Sequence, residues 1–154
     1  MTFRVTGTNH TSFTVSNLDR SIAFFRDCLG FDVTSKAPRE APLTERVTGI
    51  PGAKITVAYV RGPGHSLELI EFHGPASKGK VEARACDTGA FHIAYNVDDL
   101  DGALTAVKAY GVLPVAEPIT VDGGPNKGAR IVFVRDPDGV MLELIQLTEW
   151  LNHK

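Results

Sequence analysis

An internal repeat constrains this chain more than any other feature of its sequence. Residues 7–30, GTNHTSFTVSNLDRSIAFFRDCLG, resemble residues 89–111, GAFHIAYNVDDLDGALTAVKAYG. His10 matches His92, Val15 matches Val97, Leu18 matches Leu100 and Asp19 matches Asp101, all at one constant spacing. A second pair of segments follows, AYVRGPGHSLELIEF at 58–72 against VFVRDPDGVMLELIQL at 132–147. There Leu-Glu-Leu-Ile recurs, and Glu68 matches Glu143 at a shorter spacing. One longer middle segment in the first half accounts for the difference. The chain therefore reads as two copies of one supersecondary unit.

Each copy carries the same local signals. Residues 8–15 and 90–97 are rich in Thr, Phe, Val, Ile and Tyr and read as strands. Asn17 and Asp98 or Asp99 are candidate helix N-caps, and Gly30 and Gly111 candidate C-caps. Between them Ile22, Phe25 and Leu29, and then Leu104, Val107 and Tyr110, fall at helical spacing. Three strands are expected after each helix, at 31–36, 54–61 and 65–73, then at 112–117, 128–135 and 139–147. The fold class is α+β, with two βαβββ modules. Module 1 spans about 5–73 and module 2 about 89–147, with a linker at about 74–88, within one domain over 1–154. Residues 37–53, APREAPLTERVTGIPGA, read as a long Pro- and Gly-punctuated loop, either a lid over a site or a plain surface excursion. Trp150, the single tryptophan, is expected to pack on the core or on a second subunit.

Composition excludes several classes. Hydrophobic residues make up 43% and charged residues 22%, an ordinary globular balance. No apolar run approaches the roughly 20 residues that cross a bilayer, and MTFRVTGTNH is not a secretion signal, so a cytoplasmic location is expected. The formal charge of −2 comes without a basic block, which disfavours nucleic acid as a partner. Cys28 and Cys86 are too few and too far apart for a disulfide scaffold or a cysteine metal motif, and read as free thiols, Cys28 on the helix.

The repeated His and Glu carry the chemistry. A strand histidine alone is more often a satisfied structural group than a ligand. A glutamate on an exposed antiparallel face also costs nothing. Here, however, Glu68 stands between Leu67 and Leu69, and Glu143 between Leu142 and Leu144. Alternation sends each glutamate to the face opposite those leucines. A His on the first strand and a Glu on the last recur together in both modules. Two His and two Glu suit a hard-to-borderline metal ion.

The His10 strand, the NLDRSIAFFRDCLGF segment, the DPDG turn at 136–139 and the paired LELI strands resemble the vicinal oxygen chelate superfamily. That group includes glyoxalase I, methylmalonyl-CoA epimerase, extradiol dioxygenases, and fosfomycin and bleomycin resistance proteins. The likeness runs from Gly7 to Leu147. It implies a cleft-shaped, barrel-like sheet with helices outside, and one divalent ion per site (Ni, Co, Zn, Mn or Fe) held by His10, Glu68, His92 and Glu143. It also implies modules paired within one chain or exchanged in a homodimer. The expected chemistry is proton abstraction next to a carbonyl of a small vicinal-oxygen substrate, by an isomerase or lyase of the glyoxalase-like or epimerase-like branch. Glu143 is the first choice of base and Glu68 the second.

Two rivals remain. One is an Fe(II) extradiol-type dioxygenase using His10, His92 and Glu143; the other is a non-catalytic binding protein for drugs or natural products. The fourth ligand, Glu68, favours the glyoxalase-like or epimerase-like branch. Departures from the glutathione-dependent members count against a glutathione substrate: Thr14 stands where they have Arg, and Glu71 where they have Asn. Lys127 and Asn126, in the turn after GGP, are candidate contacts for an anionic substrate group, ahead of Arg39, Arg46 and Arg130. His65, His73 and His153 lack repeat partners and are expected to face solvent. Gly139 is expected to take a positive φ in the DPDG turn.

Overall fold

The computed structural model describes residues 2–151, with the side chains of 150 and 151 excepted. The expectations for Trp150 and His153 thus lie outside the described residues. The chain divides into two compact units, one ending at Gly79 and the other beginning at Lys80. No helix among the described residues is long and apolar enough to cross a membrane.

The first unit runs β1 (Thr11–Val15), α1 (Leu18–Ala23), β2 (Asp32–Arg39), α2 (Ala41–Thr48), β3 (Lys54–Gly62) and β4 (His65–Gly74). Its four strands lie in the order β1-β4-β3-β2, with β1 parallel to β4 and the other pairs antiparallel. The second unit runs β5 (His92–Asn96), α3 (Leu100–Lys108), β6 (Ile119–Thr120), β7 (Arg130–Arg135), β8 (Met141–Gln146) and α4 (Thr148–Leu151). Its order is β5-β8-β7-β6, again with the first strand parallel to the last. Two βαβββ modules are therefore present, and each sheet is open, running from edge strand to edge strand.

Each sheet turns one face to its helix. Leu67 and Leu69 on β4, and Leu142 and Leu144 on β8, are fully buried on that side. There α1 lies against β3 and β4, and α3 against β8. The first helix start is held as expected and the second differently. Asn17 does cap α1, its side chain accepting from the Arg20 amide at 2.9 Å. Asp99 occupies the cap position of α3 but makes no side-chain cap bond. The last strand does that work instead: the Leu100 amide donates to Gln146 Oε1 (3.3 Å), and Gln146 Nε2 donates to the Asp98 carbonyl (2.8 Å). In the first unit the Leu18 amide likewise donates to Glu71 Oε2 at 2.9 Å. Orphan amides at a helix start favour an acceptor, and a carboxylate also meets the positive end of the helix dipole.

Other departures have local causes. After Ala23 the helix widens into a π turn over Phe24–Cys28, with the Leu29 amide bonded to the Phe24 carbonyl at 3.2 Å. The extra residue shifts the apolar phase. Phe24 and Phe25 are both fully buried, while Leu29 is only half-buried. Gly30 (φ 73°) and Gly111 (φ 74°) end the helices in the left-handed region as expected. Residues 37–53 are not one long loop. The strand continues to Arg39 and α2 follows, so Pro42 in the first turn and Gly49 (φ 70°) at the C-cap are helix punctuation. At 112–117 only a single bridge forms, Pro114 with Val134, because Pro114 and Pro118 lack the N–H a ladder needs.

Candidate metal centre

Strand register builds the same arrangement twice. In the β1–β4 ladder Ser12 stands opposite Glu68, and His10 lies two residues before Ser12, just ahead of the strand. In the β5–β8 ladder Ala94 stands opposite Glu143, and His92 again lies two residues earlier. Residues two apart on a strand share a face, so each imidazole reaches its glutamate diagonally. His10 Nε2 is 3.2 Å from Glu68 Oε2, and His92 Nε2 is 3.3 Å from Glu143 Oε2. Both glutamates are mostly shielded, with side chains 17% and 16% exposed.

These separations fit metal ligation. Two adjacent ligands of an octahedral ion, each about 2.1 Å from it, lie about 3 Å apart. Each unit thus offers a nitrogen and an oxygen donor at the spacing of neighbouring coordination positions. Among the described residues no group of three or more His, Cys, Asp or Glu gathers at one point. The structure brings together pairs, His10 with Glu68 and His92 with Glu143.

An aromatic ring walls each pair from the next strand. Tyr59 stands opposite Glu68 and Phe133 opposite Glu143. Tyr59 meets His10 edge-on, ring centroids 5.5 Å apart, and Phe133 meets His92 edge-on at 5.2 Å. The Tyr59 hydroxyl donates to Glu68 Oε1 at 2.5 Å. That bond, followed by burial and the Glu68 charge, holds the phenol above its ordinary pKa, while the Arg39 charge acts in the opposite direction. His10 Nδ1 lies 2.6 Å from Asn9 Oδ1, an oxygen that can only accept. In the neutral tautomer that donates from Nδ1 to this oxygen, Nε2 is the ring nitrogen left to ligate a metal. Sequence reading passed over Asn9, Tyr59 and Phe133. The AYVR and VFVR segments carried the signal for the last two, since they align Tyr59 with Phe133.

The remaining candidates are dispersed. Thr14 faces Ile70 on the Glu68 side of its sheet, so the comparison drawn at Thr14 concerns the site face. Glu71 alternates to the other face and serves α1, which removes it from any comparison of substrate contacts. Asn126 and Lys127 lie in an exposed turn whose backbone closes from the Lys127 amide to the Gly124 carbonyl (3.2 Å). Arg130 forms a two-pronged pair with Asp101, both contacts at 2.9 Å, and Arg46 is exposed on α2. His73 is exposed and contacts Thr56, but His65 is half-buried, with Nε2 shielded and without a hydrogen-bond partner. The DPDG segment is a turn as expected: Asp136 Oδ1 accepts from the amides of Asp138 and Val140, and Gly139 has φ 95°.

The chain belongs to the Glyoxalase/Bleomycin resistance protein/Dioxygenase superfamily, whose sequence profile matches residues 7–144. It is 32% identical over 144 residues to a 2-epi-5-epi-valiolone epimerase of an Actinomyces species, covering 90% of this chain and 78% of that protein. It is 34% identical over 141 residues to a probable lactoylglutathione lyase of Vibrio cholerae, covering 89% and 88%. A glyoxalase family protein of Bacillus cereus shares the fold, with a TM-score of 0.82 at 23% identity over 95% of this chain and 97% of that one. The chain is a glyoxalase-like enzyme of that superfamily, a group that typically binds a divalent metal.

Proposed function

We propose that the chain is a metal-dependent isomerase or lyase that abstracts a proton next to a carbonyl of a small vicinal-oxygen substrate. In this reading His10, Glu68, His92 and Glu143 are metal ligands, and Glu143 is the base. The observation that carries this reading is the twice-built His–Glu pair, with its ligand atoms 3.2 and 3.3 Å apart. Bound there, the ion would supply Lewis-acid stabilisation of charge on two adjacent substrate oxygens. The residues do the rest. Glu68 and Glu143 each bring a shielded carboxylate to the site face of their own sheet. Glu143 takes the proton; its return to the neighbouring carbon is isomerisation, whereas epimerisation needs the same carbon to be reprotonated from its opposite face by a second donor. Such a base contributes about 10²–10⁴ in rate.

An epimerase and a lyase among the relatives fit one proton-transfer step with different returns. Thr14 offers a neutral hydroxyl on the site face, which favours a substrate other than a glutathione conjugate. A homodimer in the cytoplasm completes the proposal.

The test has two parts. Metal content of protein purified without added metal should be about one divalent ion per chain, lost in His92→Ala. Loaded protein incubated in D2O should exchange deuterium next to the carbonyl of α-hydroxy ketones faster than in the methylglyoxal–glutathione hemithioacetal, and Glu143→Gln should stop it. Absence of exchange together with dioxygen uptake on catechols would replace this reading with ring cleavage.

A further inference from the structure

The two half-sites share one ladder geometry and differ in what buttresses it. In the first unit both ligands have a hydrogen-bond partner: Tyr59 donates to Glu68 Oε1 at 2.5 Å, and Asn9 Oδ1 lies 2.6 Å from His10 Nδ1. In the second unit the matching positions hold Phe133, across the ladder from Glu143, and Phe91, just before His92. Neither phenylalanine can donate or accept. Both differences run in the same direction.

We infer that Tyr59 is a positioning residue whose hydroxyl pins Glu68 as a fixed ligand, while the missing counterpart at Phe133 leaves Glu143 as the carboxylate able to move a proton. The inference rests on the four-ligand reading above. Packing does not explain the hydroxyl, because Phe133 makes the same edge-on contact to its histidine without one. What the hydroxyl adds is an orientation. With Oε1 engaged by Tyr59, Glu68 presents Oε2 toward His10, and turning the carboxylate would break a short bond to an ionised acceptor. A base has the opposite requirement. It must release its contact, take a proton from carbon and give it back, and a donor held against it would oppose each movement. Phe133 places no donor there. A duplicated site is thereby divided into a holding half and a working half.

Cobalt(II) alone is the probe, titrated into metal-free protein and followed by its visible d–d absorption and by competition with a chelator. Tyr59→Phe should weaken cobalt binding about 10-fold and shift the d–d bands, as loss of a group that orients a ligand does. In a Glu68→Ala background the same change should cost nothing more, since the hydroxyl then has no ligand to hold. Phe133→Tyr should tighten cobalt binding and slow deuterium exchange. Far-UV circular dichroism of the metal-free variants should match wild type, which separates positioning from folding. Unaltered cobalt affinity and spectrum in Tyr59→Phe would overturn the inference alone, as would an equal loss in the Glu68→Ala background. No cobalt uptake by wild type would overturn the four-ligand reading and this inference with it.

Discussion

Replacing Glu71 by alanine should destabilise the first unit and leave metal binding untouched. Its Oε2 accepts the Leu18 amide at 2.9 Å, and Leu18 is 2% exposed, so the amide it serves is poorly placed to find water. A hydrogen bond to a charged group contributes about 1.5–3 kcal/mol, and loss of a helix cap about 0.5–2 kcal/mol. The Glu71 side chain is 28% exposed, and Asn17 still caps the same helix at Arg20, so the lower part of both ranges applies. The expected loss is about 1–2 kcal/mol, or about 2–8 °C in melting temperature for a chain of this size. Glu71→Gln should cost less, because Gln146 already serves Leu100 with an amide oxygen at 3.3 Å; what goes is a charge–dipole term of about 0.3–1 kcal/mol. Urea unfolding followed by far-UV circular dichroism measures the loss, and a cobalt titration measures the site. Alanine as stable as wild type, or weakened cobalt binding without lost stability, would show that Glu71 faces the site and that the strand alternation is misassigned.

Two further outcomes test the packing. A methyl group on Gly62 would sit 2.4 Å from Cζ of the buried Phe31 ring, so Gly62→Ala should lower stability by about 1–3 kcal/mol in thermal melts; an unchanged melt would mean that Phe31 does not lie there. Burial raises the Cys28 thiol above its ordinary pKa, so at pH 8 it carries less thiolate than an unperturbed thiol, whereas Cys86 is exposed. A disulfide reagent should label Cys86 first, with the gap closing as pH rises past 9; equal rates at pH 8 would refute the burial.

The repeat made much of this architecture legible, because a module that must bury one sheet face writes its period into the sequence. Glu68 and Glu143 were readable as exceptions within apolar strands, and alternation alone assigned their face. What escaped notice depended on contacts between segments far apart in sequence. The cap of α1 at Glu71 and that of α3 at Gln146 each join a strand to a helix start some fifty residues earlier, whereas Asn17, the cap that was found, acts three residues away. The helix α2 was missed because Pro42 and Gly49 punctuate loops and helix ends alike, and only their distance apart separates the two. Tyr59 was passed over because an aromatic residue in a strand is ordinary; its hydroxyl gains meaning only once Glu68 is known to stand across the ladder.

The same logic locates what decides the substrate. The His–Glu pairs follow from register, and register is shared by both units, so the pairs say little about which substrate is selected. Discrimination has to come from the residues on the site faces that the repeat does not copy. In the first unit these include Ser12 and Thr14, beside Glu68 and Ile70, with the Arg39 charge acting on Tyr59; in the second they include Ala94 and Asn96, beside Glu143 and Ile145. The first unit thus offers hydroxyls and a cation, and the second a methyl group and an amide. A polyhydroxylated ketone would find hydroxyl partners on the first face. A glutathione carboxylate would find at Thr14 no charge to meet it. Exchanging Thr14 for Arg should therefore raise turnover of the glutathione hemithioacetal relative to an α-hydroxy ketone. If that ratio does not move, the thiol substituent does not reach this strand.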